Sequence, residues 1–521
     1  MNTNQSNEWP LVRIIVPATK RVSIYSGPLK RTTCYAAVVV ATAFSKVWGW
    51  RVEVIDENNY HKGPRDNEGL PDHKAIQKEN PAQMVGFYCG LSSTIERVWD
   101  LAAFYKGQGA ATIAGSWHAH NLPEETLCHN IDLVVHGDAE PVIPKIASNF
   151  TNGLPLWDEV RGISYMRRGL VWHIDLDGVY HFIPDKDEAL NGLMNVTRDL
   201  NDQPYADFGL VKYAKIKVYP ISRTRGCGMK CEFCSVRGKG RWCSPEHFFR
   251  QIEWLVENRK AKQFFVVDDR LEEDPEGTIE VFEMVSRKYG NHLRFDVQMR
   301  LEAAGNERLM KTLYKAGIRI VCIGYESPID QELKDMHKGV AVAKMLEYTK
   351  IWRKYFRVHG MFIVGYPLQD NQPSPSAREI YEAYKKFIKQ ARLDSVQILI
   401  AGPVPGSDLE RRLRKEGRLL LPEKEMWSYA DGNFVLFKPI GLTARELQLT
   451  ALRLTRRFYG LRVFFMMAYR ITSVPSLLWS WDRWFKGLSG DVVRIYGHYI
   501  LKKWRNTKDH LELLKKIEKQ K

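Results

Sequence analysis

The chain has 521 residues, 77 Lys and Arg against 61 Asp and Glu for a formal charge of +16, and is 44% hydrophobic and 26% charged. That length allows about three domains of ordinary size, and the composition is that of a folded soluble protein. Eight cysteines are too few for a disulfide scaffold in so long a chain. The opening MNTNQSNEWPLVRIIVPATK lacks a basic start, apolar run and small-residue cleavage site, so a cytoplasmic protein is expected.

In chain order, PLVRIIVPA reads as a strand and CYAAVVVATAFSKVWG as a helix ended by Gly49. WRVEVIDEN, AQMVGFYCG, GAATIAGSW and IDLVVHGD are four more strands separated by helical stretches. Five short strands with intervening helices predict a doubly wound α/β sheet, flavodoxin-like or Rossmann-like, with ligands beyond the strand C-termini. No GxGxxG opens the first helix, so a dinucleotide is not expected. Residues 162–184, GISYMRRGLVWHIDLDGVYHFIP, alternate apolar and polar side chains and predict a β-hairpin connector over 147–213 without chemistry of its own.

RTRGCGMKCEFCSV, residues 223–236, then places Cys227, Cys231 and Cys234 within eight residues. A disulfide staple is the weakest reading of this group. A zinc site using Cys243 as fourth ligand is open, although structural zinc sites usually join two short-spaced pairs. An iron–sulfur cubane on three cysteines leaves one iron free for another ligand, and Arg223, Arg225 and Lys230 would favour thiolates. The cysteines lie between a strand, AKIKVYPISRT, and a helix over 244–259 that starts at Ser244-Pro245. Five further strands follow, KQFFVVDD, RFDVQMR, RIVCIGYE, VHGMFIVGYP and SVQILIAGP, alternating with amphipathic helices. Six such strands predict a parallel sheet covered by helices. Its strand ends carry Asp268, Asp269, Gln298, Arg300, Glu326 and Ser327, where ligand sites form. Arg300 could pair with a carboxylate, and the acids with an ammonium group or ribose hydroxyls.

Cys227-x3-Cys231-x2-Cys234, with Phe233 before the last cysteine, resembles the signature of radical S-adenosylmethionine (SAM) enzymes. The resemblance implies a 4Fe–4S cluster on these three cysteines whose free iron chelates SAM, Cys243 as a structural thiol, and a partial (β/α)6 barrel over 214–410. It also implies SAM contacts from the second-strand acids and the GYES turn, with Gly365 in GYP and the PVPGSDL turn matching the fifth- and sixth-strand motifs. Residues 9–146 resemble the cobalamin-binding domain that precedes the barrel in one large subfamily, through WRVEVIDENN, GLSST, AGSWHAHNLPEETL and VVHGDAEPVI. DLNDQPYADFGLV, residues 199–211, resembles the connector before the cluster strand. Ser92, Ser93, Thr94, Gly115, His118, Gly137 and Glu140 are the cobalamin-contact candidates. Asn58 stands where many cobalamin domains carry the histidine of D-x-H-x-x-G, leaving the lower cobalt ligand unassigned. Class B radical SAM methylases are the nearest pattern. They imply cleavage of SAM to a 5′-deoxyadenosyl radical, methylation of an unactivated carbon of a small-molecule or lipid substrate, and an electron donor such as ferredoxin or flavodoxin.

Residues 411–521 are expected to be helical and basic. Residues 441–521 hold 17 Lys and Arg against 6 Asp and Glu, so +11 of the total +16 lies there. With the aromatics of FYGLRVFFMMAYR and LLWSWDRWFKG, this suits either a subdomain packing its aromatics on the barrel or peripheral contact with an anionic membrane, and nucleic acid less well. Arg462 and Arg470 interrupt the apolar run, so no spanning helix is expected. Cyclisation or rearrangement remains an alternative to methylation. A tRNA methylthiotransferase would need a second cluster on Cys34, Cys89 and Cys128, and a non-catalytic cobalamin or iron–sulfur sensor is the reading from another class.

Overall fold

The structure is a computed structural model and describes residues 9–19, 22, 26–151, 157–175, 180–181, 194, 196–197, 199–236, 238–472 and 481–519. The chain forms two compact units, one built on residues up to Pro220 with Arg250–Ala261, the other on 221–249 and 262–521.

In the first unit, β1 (Leu11–Val16), β2 (Arg51–Asp56), β3 (Met84–Tyr88), β4 (Ala111–Gly115) and β5 (Leu133–Val135) lie in the order β5-β4-β3-β1-β2, all neighbours parallel. This is the flavodoxin-type order, with its switch point between β1 and β3. Every residue of β1 and β5 is buried, as a parallel sheet covered on both faces requires. Arg13, in the middle of β1, has no exposed surface; Glu53, Gln77, Tyr105 and the Asn80 carbonyl accept all its hydrogen bonds. The first helix stops at Phe44 rather than Gly49, because the chain turns through 45–49 and Gly49 takes φ +86°.

Residues 147–213 are not a free-standing connector. β6 (Ile163–Arg167), β7 (Leu170–Ile174) and β8 (Tyr180–His181) add antiparallel to β5, and β9 (Val211–Lys212) adds parallel to β2. The expected hairpin is there, but its first strand satisfies the open edge of β5, which extends the sheet to nine strands. Residues 176–179 and 182–184 of that stretch lie outside the described residues.

The second unit contains a six-stranded sheet ordered β10-β13-β14-β15-β16-β17: Tyr219–Ile221, Gln263–Val266, Arg294–Met299, Ile318–Glu326, Arg357–Val364 and Ser395–Ile400. The pairs from β13 to β17 are parallel. Burial alternates along these strands: Phe295, Val297 and Met299 are buried under helices, whereas Asp296 and Gln298 lie on the more open face. The intervening β11 (Thr224–Arg225) and β12 (Arg241–Trp242) pair antiparallel. Helix 275–289 starts with Pro275 at its first turn and Asp274 accepting from the Gly277 N–H. Helices 377–391 and 444–459 open with Ser376/Glu379 and Thr443/Glu446 capping boxes.

The C-terminal region is helical, as expected. Helix 444–459 packs on β17, its Tyr459 hydroxyl donating to the Val396 carbonyl at 2.7 Å. Helix 461–472 departs from the expected inward packing of aromatics, because Leu461, Phe465, Met466 and Tyr469 are exposed. Residues 478–480 of the second aromatic stretch lie outside the described residues. No described helix is long and apolar enough to cross a membrane.

Candidate active site

The short β11–β12 ladder pairs Thr224 with Trp242 and Arg225 with Arg241, and so pins the base of the loop that carries all three motif cysteines. Gly226 and Gly228 take φ +83° and +66° in this loop, and the Gly228 N–H donates to the Gly238 carbonyl at 3.0 Å. A Cβ at Gly226 would stand 3.0 Å from the Lys239 carbonyl, so the turn is reserved for glycine. Cys231 is buried, Cys227 and Cys234 half-buried. Burial pushes the Cys234 thiol up to about 11, with Cys231 and Cys227 adding to the rise; Cys227 is raised by burial and drawn back by Arg270 and Arg300. A bound metal would draw the protons from these thiols. Among the described residues no three His, Cys, Asp or Glu side chains are grouped tightly enough to hold a single ion. In a cubane the three cysteines would each sit on a different iron, leaving the fourth iron for another ligand. Cys243 is buried beyond the loop and its N–H continues the ladder to the Arg223 carbonyl at 3.1 Å.

Of the cations expected around the thiols, Arg223 is not there. Arg223 is fully buried and turned away, its guanidinium bonded to the Asp274 carboxylate and to Thr278. Arg270 instead donates to the Cys227 carbonyl at 3.4 Å and pairs with Glu273. Lys338, which the sequence reading passed over, is a buried ammonium donating to Glu326 Oε1 at 2.8 Å and acting electrostatically with Cys231. Arg300 is engaged by Glu302 at 2.7 and 3.3 Å, while its N–H donates to Glu272 at 3.1 Å.

Asp268 and Asp269 each commit one carboxylate oxygen to the stem of the cysteine loop: Asp268 accepts from the Arg223 N–H at 2.7 Å, Asp269 from the Gly226 N–H at 3.0 Å. Burial raises Asp268 to about 6. Gln298 is exposed on the open face of the sheet. Glu326 ends β15 at φ +61°, beside a register shift in the β15–β16 pairing, a strained position of the kind found at ligand sites. Ser327 is fully buried and donates to Glu332, so it braces the turn. Gly365 takes φ +71°, but a Cβ there would collide with Leu447 rather than reach open space. The Cβ side of Gly365 is thus taken up by helix 444–459. Phe233 meets the Tyr366 ring edge-on at 6.5 Å.

One further residue was hidden inside the motif. Glu232, between Cys231 and Phe233, is 4% exposed and accepts from Tyr366 at 2.5 Å and from Arg412 at 2.7 and 3.1 Å. Its N–H reaches the Met336 carbonyl, and its carbonyl takes the Leu409 N–H at 2.9 Å. The cysteine loop is therefore stitched to the segments after β15, β16 and β17. A charged side chain between two closely spaced cysteines was the available signal.

In the first unit the candidates occupy the loops after β2 to β5. Ser92 Oγ lies 2.9 Å from His118 Nδ1, both buried. Burial holds His118 down at about 3, so it is neutral. Thr94 is buried and donates to the Leu91 carbonyl, a local turn closure rather than a ligand contact. Ser93 is half-buried, Gly137 takes φ +70°, and Glu140 accepts from Gln203 at 3.0 Å. A Cβ at Gly115 would meet only the Val135 carbonyl at 3.7 Å, so that position is not sterically reserved. Asn58 donates to the Pro17 carbonyl and accepts from the Thr19 N–H, tying the loops after β1 and β2 together. It is a brace and not a ligand position.

Residues 221–380 match the Radical SAM superfamily. The chain is 24% identical over 489 residues, 84% of its length and 89% of the relative's, to cytidylyl-2-hydroxyethylphosphonate methyltransferase of Streptomyces wedmorensis. It is 23% identical, with 81% of each chain covered, to bacteriochlorophyllide d C-12(1)-methyltransferase of Chlorobaculum tepidum. Its fold is similar to that of the radical SAM methyltransferase TsrM from Kitasatospora setae, solved with cobalamin and a [4Fe-4S] cluster, with a TM-score of 0.66 at 13% identity over 94% of this chain and 99% of that one. The matched segment contains the pinned cysteine loop and marks this part of the chain as a radical SAM domain. The likeness in fold to that cobalamin- and cluster-containing structure extends over both units of this chain.

Proposed function

We propose that the chain is a cobalamin-dependent radical SAM methyltransferase acting on an unactivated carbon of a small-molecule or lipid substrate. The observation that carries this reading is the three-cysteine loop pinned at the strand ends of a parallel sheet, in a chain whose other unit is a flavodoxin-type sheet. Cys227, Cys231 and Cys234 would hold a 4Fe–4S cluster. Lys338 and Arg300, both acting electrostatically with Cys231, would face the carboxylate of SAM, and the Ser92–Ser93, Gly115–His118 and Gly137–Glu140 loops would face cobalamin. When bound, these groups supply the one-electron and methyl-carrying chemistry.

The chain's own residues do the positioning. Asp268, Asp269 and Glu232 fix the cysteine loop through its backbone and its flank. Glu326 holds Lys338 in a buried pair, which keeps a cation beside the loop. Buried neutral His118 offers the first unit no charge near its loops, and Asn58 is spoken for, so a lower cobalt ligand from that position is not part of this reading. An electron-transfer protein such as ferredoxin or flavodoxin would reduce the cluster.

The methylthiotransferase reading is less well supported, since Cys128 is exposed at a helix end while Cys89 is fully buried. The test is to supply the reconstituted protein with hydroxocobalamin, reductant and methyl-labelled SAM. Labelled methylcobalamin on the protein supports the methyltransferase. A protein that holds its cluster but retains no cobalamin contradicts it.

A further inference from the structure

We propose that the antiparallel helix pair 461–472 and 481–505 is a docking surface for an anionic lipid bilayer. From Val492 to Arg505, helix 481–505 carries one packed stripe and one exposed stripe. Its inward stripe is Arg494, Gly497, Leu501 and Trp504: Leu501 and Trp504 are buried, Arg494 donates to the Leu393 and Asp394 carbonyls, and Gly497 lies against the Tyr459 ring. Its outward stripe is Val492, Val493, Tyr496 and Tyr499, exposed by 52%, 44%, 42% and 58%. Helix 461–472 repeats the pattern, with Met467 buried and Leu461, Phe465, Met466 and Tyr469 exposed by 46 to 73%. A second apolar stripe left exposed beside a packed one is the mark of a surface that meets a partner.

The two helices lie side by side, with Phe464 against both His498 and Tyr499. Only eight residues join them, too few to span a parallel arrangement, so they run antiparallel. Leu461 and Arg462 therefore lie level with Lys502 and Lys503. Arg462 continues the outward stripe of its helix, being next to Leu461 and four residues before Met466, and Lys503 continues that of the other, four residues after Tyr499. Both are exposed, as are Arg456, Arg457 and Lys502. Residues 461–472 contain no acidic side chain, and helix 481–505 has only Asp482 and Asp491, both before the exposed stripe begins at Val492. An apolar and tyrosine-rich surface with a basic collar at one end matches a bilayer interface, apolar residues at the acyl boundary and cations at anionic headgroups. A protein partner of ordinary surface would leave the collar without complementary charge.

The test is co-sedimentation of the full chain with vesicles of phosphatidylcholine alone or with about 30% phosphatidylglycerol. The wild type is expected to sediment with the anionic vesicles only and to be released at high salt. Phe465→Glu or Tyr499→Glu lowers partitioning about tenfold, and Arg462→Glu or Lys503→Glu about fivefold each. These positions are exposed, and unchanged circular dichroism verifies folding. Absence of binding to anionic vesicles would overturn the proposal, as would binding indifferent to the four substitutions. A vesicle-free dimer that Phe465→Glu converts to monomer would overturn it too, assigning the surface to a second copy of the chain.

Discussion

Glu232 and Arg412 stand 180 residues apart and form a buried two-pronged ion pair, 2.7 Å at Nε and 3.1 Å at Nη2. Arg412 also donates to the Pro367 and Leu368 carbonyls, and Tyr366 adds a third hydrogen bond to the same carboxylate. One side chain inside the cysteine motif thus ties the loop to the last strands of the sheet. Arg412→Met strands a buried carboxylate, and such a break costs about 3 kcal/mol. The midpoint of chemical denaturation of the metal-free protein is expected to fall accordingly. Glu232→Gln keeps the shape and loses less. In both variants, hydrogen exchange across 227–236 rises and the reconstituted cluster's EPR spectrum broadens. An unchanged spectrum with unchanged exchange would leave the pair a purely global stabiliser.

Cys243 separates a zinc reading from a cluster reading. Cys227→Ala, Cys231→Ala and Cys234→Ala are each expected to lose bound iron and the visible cluster absorbance, whereas Cys243→Ser retains both. Iron and zinc analysis of the four purified proteins checks this. Loss of metal in Cys243→Ser equal to that in the others would make it a ligand.

Glu332 lies beneath Ser327, and burial raises its carboxyl from an ordinary 4.5 to about 8. The folded chain therefore keeps a proton that the unfolded chain releases. The stability this group contributes is fully present below about pH 4.5 and is lost as pH rises toward about 8. Glu332→Gln, which cannot ionise, is expected to raise Tm relative to wild type at pH 8 and not at pH 5. Thermal melts at the two values give the difference.

Gly365→Ala meets both a left-handed backbone and the Leu447 side chain. A cost of about 2 kcal/mol is expected. Adding Leu447→Ala relieves the overlap but not the backbone strain, so it removes the overlap's share of that cost while opening a cavity of its own. Denaturation of the two variants beside Leu447→Ala alone separates these contributions through their coupling.

The sheets were legible because both rest on uninterrupted apolar strands alternating with amphipathic helices, and the cysteine loop because thiols so close together have few uses. What escaped was non-local. The edge pairing of β6 with β5 depends on a free sheet edge that no local pattern displays. Arg223 looked like a thiolate partner from its proximity in sequence, yet its side chain points to Asp274 after the next strand. Lys338 and Arg412 come from segments far along the chain, and their partners Glu326 and Glu232 give no periodicity to betray them. The second-strand acids were correctly placed at the strand end, but which oxygen goes to loop backbone is a matter of distances.

The most direct test of the central claim is to reconstitute the protein anaerobically with iron, sulfide and cobalamin, add reductant and SAM, and quantify nucleosides by mass spectrometry. Cys227→Ala serves as control. A cobalamin-dependent methyltransferase is predicted to yield both 5′-deoxyadenosine and S-adenosylhomocysteine, with both lost in the control. Neither product, from protein shown to hold its cluster, would contradict the enzyme reading.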